Sequence, residues 1–259
     1  MFYVLTAAIV NRDDPGYAFL SKKMRRVANN QNTHMIHASK MTHSQENLND
    51  LLSLEREIGD NPAVRALAVV RSPLTLGGEE DARQRCVADL MVTLTSTFKV
   101  CAVTMDSRDP LGIATKSMTA KKGSRNIEDI VTIEGLKTTG ELPDDLNVFH
   151  ANDEKVHGLW IADVATYAVG RSLASRDPSR LQWIAPHLYM REARILPVAE
   201  RAKADQKFAP VTSLSFYLDA FVNQAKAMHD RESGLLEDSE EPEEIITQEP
   251  TVEGPSLSM

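Results

Sequence analysis

Two aspartates stand where a carboxylate has chemical consequences. Asp106 closes the apolar run "KVCAVTM" and is followed by the turn residues Asp109 and Pro110. Asp163 sits in the middle of "HGLWIADVATYAVGRSL", residues 157–173, which has helical length and spacing and is apolar on nearly every side. An ionised carboxylate withdrawn from water is costly unless it is paired, metal-bound or protonated. On a helix the side chains within reach of Asp163 are Leu159, Trp160, Thr166 and Tyr167, none of them a cation. Arg171 lies about 12 Å farther along the axis. Asp163 is therefore satisfied by another segment, by water or by an ion; a bond to Tyr167 or to a backbone amide, at the edge of the buried stripe, is the plainer alternative.

Asp106 adds a second carboxylate at the carboxyl end of an apolar strand. In open α/β sheets ligands bind in the crevice beyond those ends, although an aspartate before a turn also bonds its own backbone two residues on. Two carboxylates that converge repel one another unless a cation lies between them, and hard oxygen donors select Mg²⁺ or Mn²⁺. Such a site holds ions about 3.5–4 Å apart, activating water and stabilising the leaving oxygen of a phosphodiester. That design uses roughly three or four acidic groups; the residues by themselves single out two.

Other groups carry weaker signals. His34, His37 and His43 have no cysteine near them and are separated by Met and Lys, so a zinc site is not expected. His150 and His157 bracket the loop before the Asp163 helix, where a histidine can serve as a general acid or contact phosphate, or be an ordinary half-buried side chain. Lys22, Lys23, Arg25 and Arg26 in "SKKMRR", and Lys121 and Lys122 in "TAKKGSRN", are the two basic clusters that could follow a nucleic-acid backbone; a solvated helix face is the alternative. No glycine-rich phosphate loop or serine-centred elbow occurs, which disfavours nucleotide-driven and serine-hydrolase chemistry.

The elements that must position these residues alternate. Apolar strands are expected at 2–10, 64–72, 99–106 and 145–152, and helices at 17–29, 45–59, 79–98 and 157–173. Between 111 and 141 only "DIVTIEG" reads as strand-like, and the rest as a loop near the site or a surface excursion. "PSRLQWIAPHLYM" and residues 213–228 read as amphipathic helical segments. The order implies an α/β sheet with helices on both faces.

Composition fits this reading. The chain has 259 residues, 42% of them hydrophobic, enough for one sizeable core. Its net charge of −8 is uneven: from Asp230 onward ten acidic residues face one basic, a net of −9 that leaves residues 1–229 at +1. The acidic end, rich in Glu, Pro and Ser, is expected to be disordered over 230–259. Two cysteines, Cys86 and Cys101, in no metal-ligand spacing suit a reducing compartment. The opening apolar run is too short to span a bilayer and lacks signal-peptide flanks, so a cytoplasmic protein without a membrane partner is expected.

In order, "FYVLTAAIV", "HMIHAS", "LAVVRS", "AVTMDSRDP" and "NVFHANDEKVHGLWIADVATYAVGRSL" resemble the bacterial and phage family called domain of unknown function 3800, over roughly residues 2–175 and most strongly at "GLWIADVATYAV". The resemblance implies a ribonuclease-H-like mixed sheet, expected over residues 1–205, and a metal-dependent nuclease acting on nucleic-acid phosphodiesters with Mg or Mn; the amphipathic pattern near the C-terminus adds a helix packed on that body at 206–229. It matches Asp106 to the family's strand-end aspartate and Asp163 to the aspartate of its Gly-Leu-Gln-x-Ala-Asp motif, with Trp160 in place of Gln. Asp153 falls near a third acidic position, and His37 matches a histidine-alanine pair; His157 is an accessory candidate. Two departures stand out. The family opens with a strand ending in Asp-Glu-Ser before the one that "FYVLTAAIV" matches, and Met35 replaces a frequent glutamate. Two alternatives stay open: an inactive member that works as an interaction protein, or a translation start upstream of Met1. Loss of a central strand is expected to open a sheet edge to solvent or to another copy of the chain.

Overall fold

The computed structural model describes residues 2–33, 35–71, 78–107, 115–116, 126–151, 156–194 and 214–235. Strand β1 (Tyr3–Val10) is the opening apolar run, and it ends at a turn whose Asp14 carboxylate accepts the Gly16 amide at 2.8 Å. With Asp14 as the cap and Pro15 in the first turn, where a missing N–H costs nothing, helix α1 (Pro15–Asn30) begins. Ser44 caps helix α2 (Gln45–Gly59) in the same way, accepting the Asn47 amide at 3.1 Å. Strand β2 (Val64–Arg71) then pairs antiparallel with β1, Tyr3 opposite Arg71 and Val10 opposite Val64.

Helix α3 (Gly78–Ser96) leads to β3 (Ala102–Asp106), and after the two-residue β4 (Thr115–Lys116) come α4 (Ile127–Thr138), β5 (Asn147–Ala151) and α5 (His157–Ser175). Short 3₁₀ turns precede β6 (Leu188–Glu192), and α6 (Leu214–Glu232) packs against β6 and the turn at Pro178–Leu181. The strands form two mixed three-stranded sheets, β1-β2-β6 and β3-β5-β4, rather than the single sheet the sequence leads one to expect. In the first, β2 and β6 are parallel; in the second, β3 and β5 are parallel and β4 is antiparallel.

Alternation along β2 shows how the layers form. Ala66, Ala68 and Val70 belong to a core with α1, α2, α5 and α6, whereas Leu67 and Val69 belong to a second core with α3, α4, β3 and β5. A strand buried on both faces is the reason "VRALAVVR" is nearly continuous in apolar residues. The architecture is therefore α/β, with helices on both sides of the first sheet.

Two elements differ from the sequence expectation. "DIVTIEG" lies in α4, not in a strand: Asp129, Thr132, Ile133 and Leu136 are buried at helical spacing, and packing against α3 overrides the β preference of Ile130, Val131 and Thr132. "PSRLQWIAPHLYM" is not an amphipathic helix. Pro186 interrupts it, and Leu188 and Met190 are buried while Tyr189 and Arg191 are exposed, the period of two that belongs to β6. The helix expected at 206–229 runs to Glu232, while residues 195–213 and the acidic end from residue 236 lie outside the described residues. No helix among the described residues is long and apolar enough to cross a membrane.

Candidate functional site

Among the described residues β1 pairs with β2 along one edge only, and β3 with β5 along one edge only. The other edges of both strands border one cavity of about 1300 Å³. The directions of the two strands follow from their contacts. Tyr3, at the start of β1, accepts a hydrogen bond from Arg83 near the start of α3, and Arg83 also binds Asp129 at the start of α4. Asn126, just before α4, donates to Ser107, just after β3. The start of β1 is thus on the same side as the end of β3, and the two strands run antiparallel.

Asp106 and Asp163 both line this cavity. Asp106 arrives exposed at the end of β3, opposite Ala151 of β5, and the Ser107 amide is anchored to the Ala151 carbonyl at 2.9 Å. Asp163 arrives from α5 and is half-buried. Its Oδ2 accepts the backbone amide of Ala38 at 2.7 Å, so part of what satisfies the carboxylate is a loop more than a hundred residues earlier in the chain. That loop is shaped by Thr33, whose hydroxyl donates to the Met35 carbonyl at 2.9 Å, and by the turn from Lys40 N to His37 O at 2.9 Å. Ile36 and His37 of the same loop line the cavity. Asp106, Asp163 and His37 therefore share one space.

Other candidates are placed elsewhere. His157, the first residue of α5, bonds Ser21 at 2.5 Å and accepts from Arg25 Nε at 2.9 Å, with its ring 4.6 Å from that of Trp160. Burial, and then the Arg25 charge, hold its pKa below the usual histidine value. It faces α1 and not the cavity. His150 is fully buried in β5 opposite Met105. Along α1, Lys23 pairs with Glu57 at 2.7 Å, while Lys22, Arg25 and Arg26 are exposed. Asp153, Lys121, Lys122 and His34 lie outside the described residues.

Among the described residues no three His, Cys, Asp or Glu side chains are grouped so as to hold a metal ion. Asp106 and Asp163 are donors of the type Mg²⁺ and Mn²⁺ prefer, but as a pair they fall short of a complete cation site.

The sequence offers little sign of the ion pairs made by two buried aspartates, Asp129 and Asp89. Arg83 grips Asp129 through Nε and Nη2 at 2.9 and 2.6 Å, with Asp129 fully buried. Burial opposes the charge on Arg83, but the bonds to Asp129 outweigh it and hold its pKa above the usual arginine value. Asp89, also fully buried in α3, takes Arg191 Nε of β6 at 2.8 Å and the Arg194 amide at 2.7 Å. Each pair joins residues tens of positions apart, which no local spacing pattern reveals.

Compared with models of protein families, with curated proteins and with solved structures, the chain shows no match.

Proposed function

We propose that this chain is a ribonuclease-H-like protein of nuclease type, acting on nucleic-acid phosphodiesters at the cavity bordered by β1, β3 and α5, with Asp106 and Asp163 as its central carboxylates. The observation that carries the reading is that a strand-end aspartate and a helix-borne aspartate line one cavity, as the resemblance to the domain of unknown function 3800 family requires. Exposed Lys22, Arg25 and Arg26 on α1 supply local positive charge of the kind that follows a phosphate backbone. The donors among the described residues are two carboxylates, not a full cation-binding set.

A second reading has its own support: a catalytically silent interaction protein that keeps the scaffold. It is favoured by the lack of a third ligand among the described residues and by the engagement of Asp163 with the Ala38 amide. Nuclease assays on RNA, DNA and hybrid substrates with Mg²⁺ or Mn²⁺, comparing the chain with Asp163→Asn, separate the two. Cleavage that is lost in the variant supports the nuclease; equal cleavage by both, or none together with no Mn²⁺ uptake by calorimetry, removes it and leaves the silent reading.

A further inference from the structure

Every residue of β1 and every residue of β3 lines the same cavity, and among the described residues neither facing edge has a strand partner. An open edge of this length made of apolar residues is a template for pairing with another strand. The space is closed above and below. Tyr3, Leu5, Ala7 and Ile9 face the core built on α3, while Val4, Ala8 and Val10 face the core built on α5. Leu90 and Leu94 of α3 line the cavity on one side, and Leu159 and Ala162 of α5 on the other. All eight residues of β1 except Thr6 are only half-buried, although seven of them are apolar, and the Thr6 hydroxyl is buried without a hydrogen-bond partner. At about 1300 Å³ the cavity exceeds the roughly 300–1,000 Å³ of a single small-molecule site.

We propose that this gap is a strand-docking slot: it takes an extended segment of another polypeptide, bonded by its backbone to β1 and β3 at once. The segment is about as long as the two edges, which span eight and five residues. Because both of its faces meet apolar side chains, it carries a continuous apolar run of the kind found in central strands, not an alternating one. One of its ends is specified by charge. Arg12, Arg65 and Lys99 are exposed where β1 ends and β3 begins. The occupant thus carries an acidic residue at that end. Strand addition of this kind draws affinity from main-chain hydrogen bonds and specificity from the pockets for alternate side chains. The proposal stands independently of any reaction at Asp106 and Asp163.

The test uses the full chain and a fluorescein-labelled peptide, Glu-Val-Ile-Val-Leu-Val-Ile-Lys, with binding read by anisotropy and location by amide hydrogen exchange. Saturable binding is expected, with new protection confined to Tyr3–Val10 and Ala102–Asp106. A peptide with proline at its fourth position loses ladder bonds and binds about tenfold or more weakly. The double variant Arg12→Glu, Lys99→Glu, exposed substitutions that leave the circular dichroism unchanged, weakens binding of the original peptide about threefold or more. The proposal is overturned by any of four results: no protection of the two strands, equal binding of the proline peptide, protection of both strands in the isolated chain at every concentration, or protection that grows with protein concentration alone. The third result would mean that the chain fills its own slot, and the fourth that a second copy does.

Discussion

Asp163 Oδ2 accepts the Ala38 amide at 2.7 Å, tying the middle of α5 to the loop after α1. This bond gives Asp163 a structural task separable from any chemistry. Asp163→Ala leaves the amide without that acceptor and is expected to cost about 1–3 kcal/mol, whereas Asp163→Asn keeps an acceptor oxygen and costs less than about 1 kcal/mol. Urea denaturation midpoints of the two variants measure the difference. Equal losses would show that the amide bond contributes nothing.

Asp129 is fully buried against Arg83, and Arg83 also reaches the Tyr3 hydroxyl at 3.3 Å. Removing one partner of a buried pair leaves the other uncompensated, so Asp129→Ala should cost about 3–5 kcal/mol. Chemical denaturation of the variant checks the magnitude. Its hydrogen exchange should also rise at the start of β1, which Arg83 holds beside α4.

Glu55 is buried in α2, and that burial raises its pKa from 4.5 to about 8 against the weaker opposing pull of Arg180. The folded state holds the proton more tightly than the unfolded chain. Its contribution to stability is therefore fully present below about pH 4.5 and is lost as pH rises through about 8. At about 1.4 kcal/mol for each tenfold change in proton affinity, the loss amounts to a few kcal/mol. Thermal unfolding between pH 4 and 9 should show this decline, and Glu55→Gln should flatten it. A decline that persists in the variant would assign it to other groups.

Gly59 ends α2 where the chain of Trp183 crosses it: a Cβ built there would stand 1.4 Å from the Trp183 carbonyl oxygen. The obstacle is backbone on both sides, so no side chain can swing away. Gly59→Ala is expected to destabilise by about 3 kcal/mol or more, the upper end of overpacking penalties, or to yield no soluble folded chain. A melting temperature within a degree or two of the parent would contradict the close approach.

Much of the fold is legible in the sequence because local pattern and tertiary role agree: β1, α2, β2 and α5 follow from apolar runs, Ser44 and the turn at Asn11–Asp14. Where the two disagree, the pattern misleads. Ile130, Val131 and Thr132 favour a strand, yet α3 offers a surface that only a helix at that point can cover. Pro186 separates two apolar groups that would otherwise resemble one helix. That Asp106 and Asp163 line one cavity is legible as two unusual carboxylates, one at the end of an expected strand and one in the middle of an expected apolar helix. The Ala38 amide, and the arginines that hold Asp89 and Asp129, are not, since no spacing rule links residues so far apart in the chain. The division into two sheets appears only when the edges are placed in space.

The most direct test of a cation site shared by Asp106 and Asp163 uses Tb³⁺, a hard ion that prefers oxygen donors. Trp160 lines the same cavity three residues before Asp163, and the other tryptophan of the chain, Trp183, packs against Arg56 at 3.8 Å instead. Excitation of Trp160 should sensitise Tb³⁺ emission that saturates in the parent chain and is displaced by Mn²⁺. Asp106→Asn and Asp163→Asn should each weaken it about tenfold or more, roughly 1.4 kcal/mol. Emission that is absent from the parent, or that saturates in either variant as it does in the parent, would contradict the shared site.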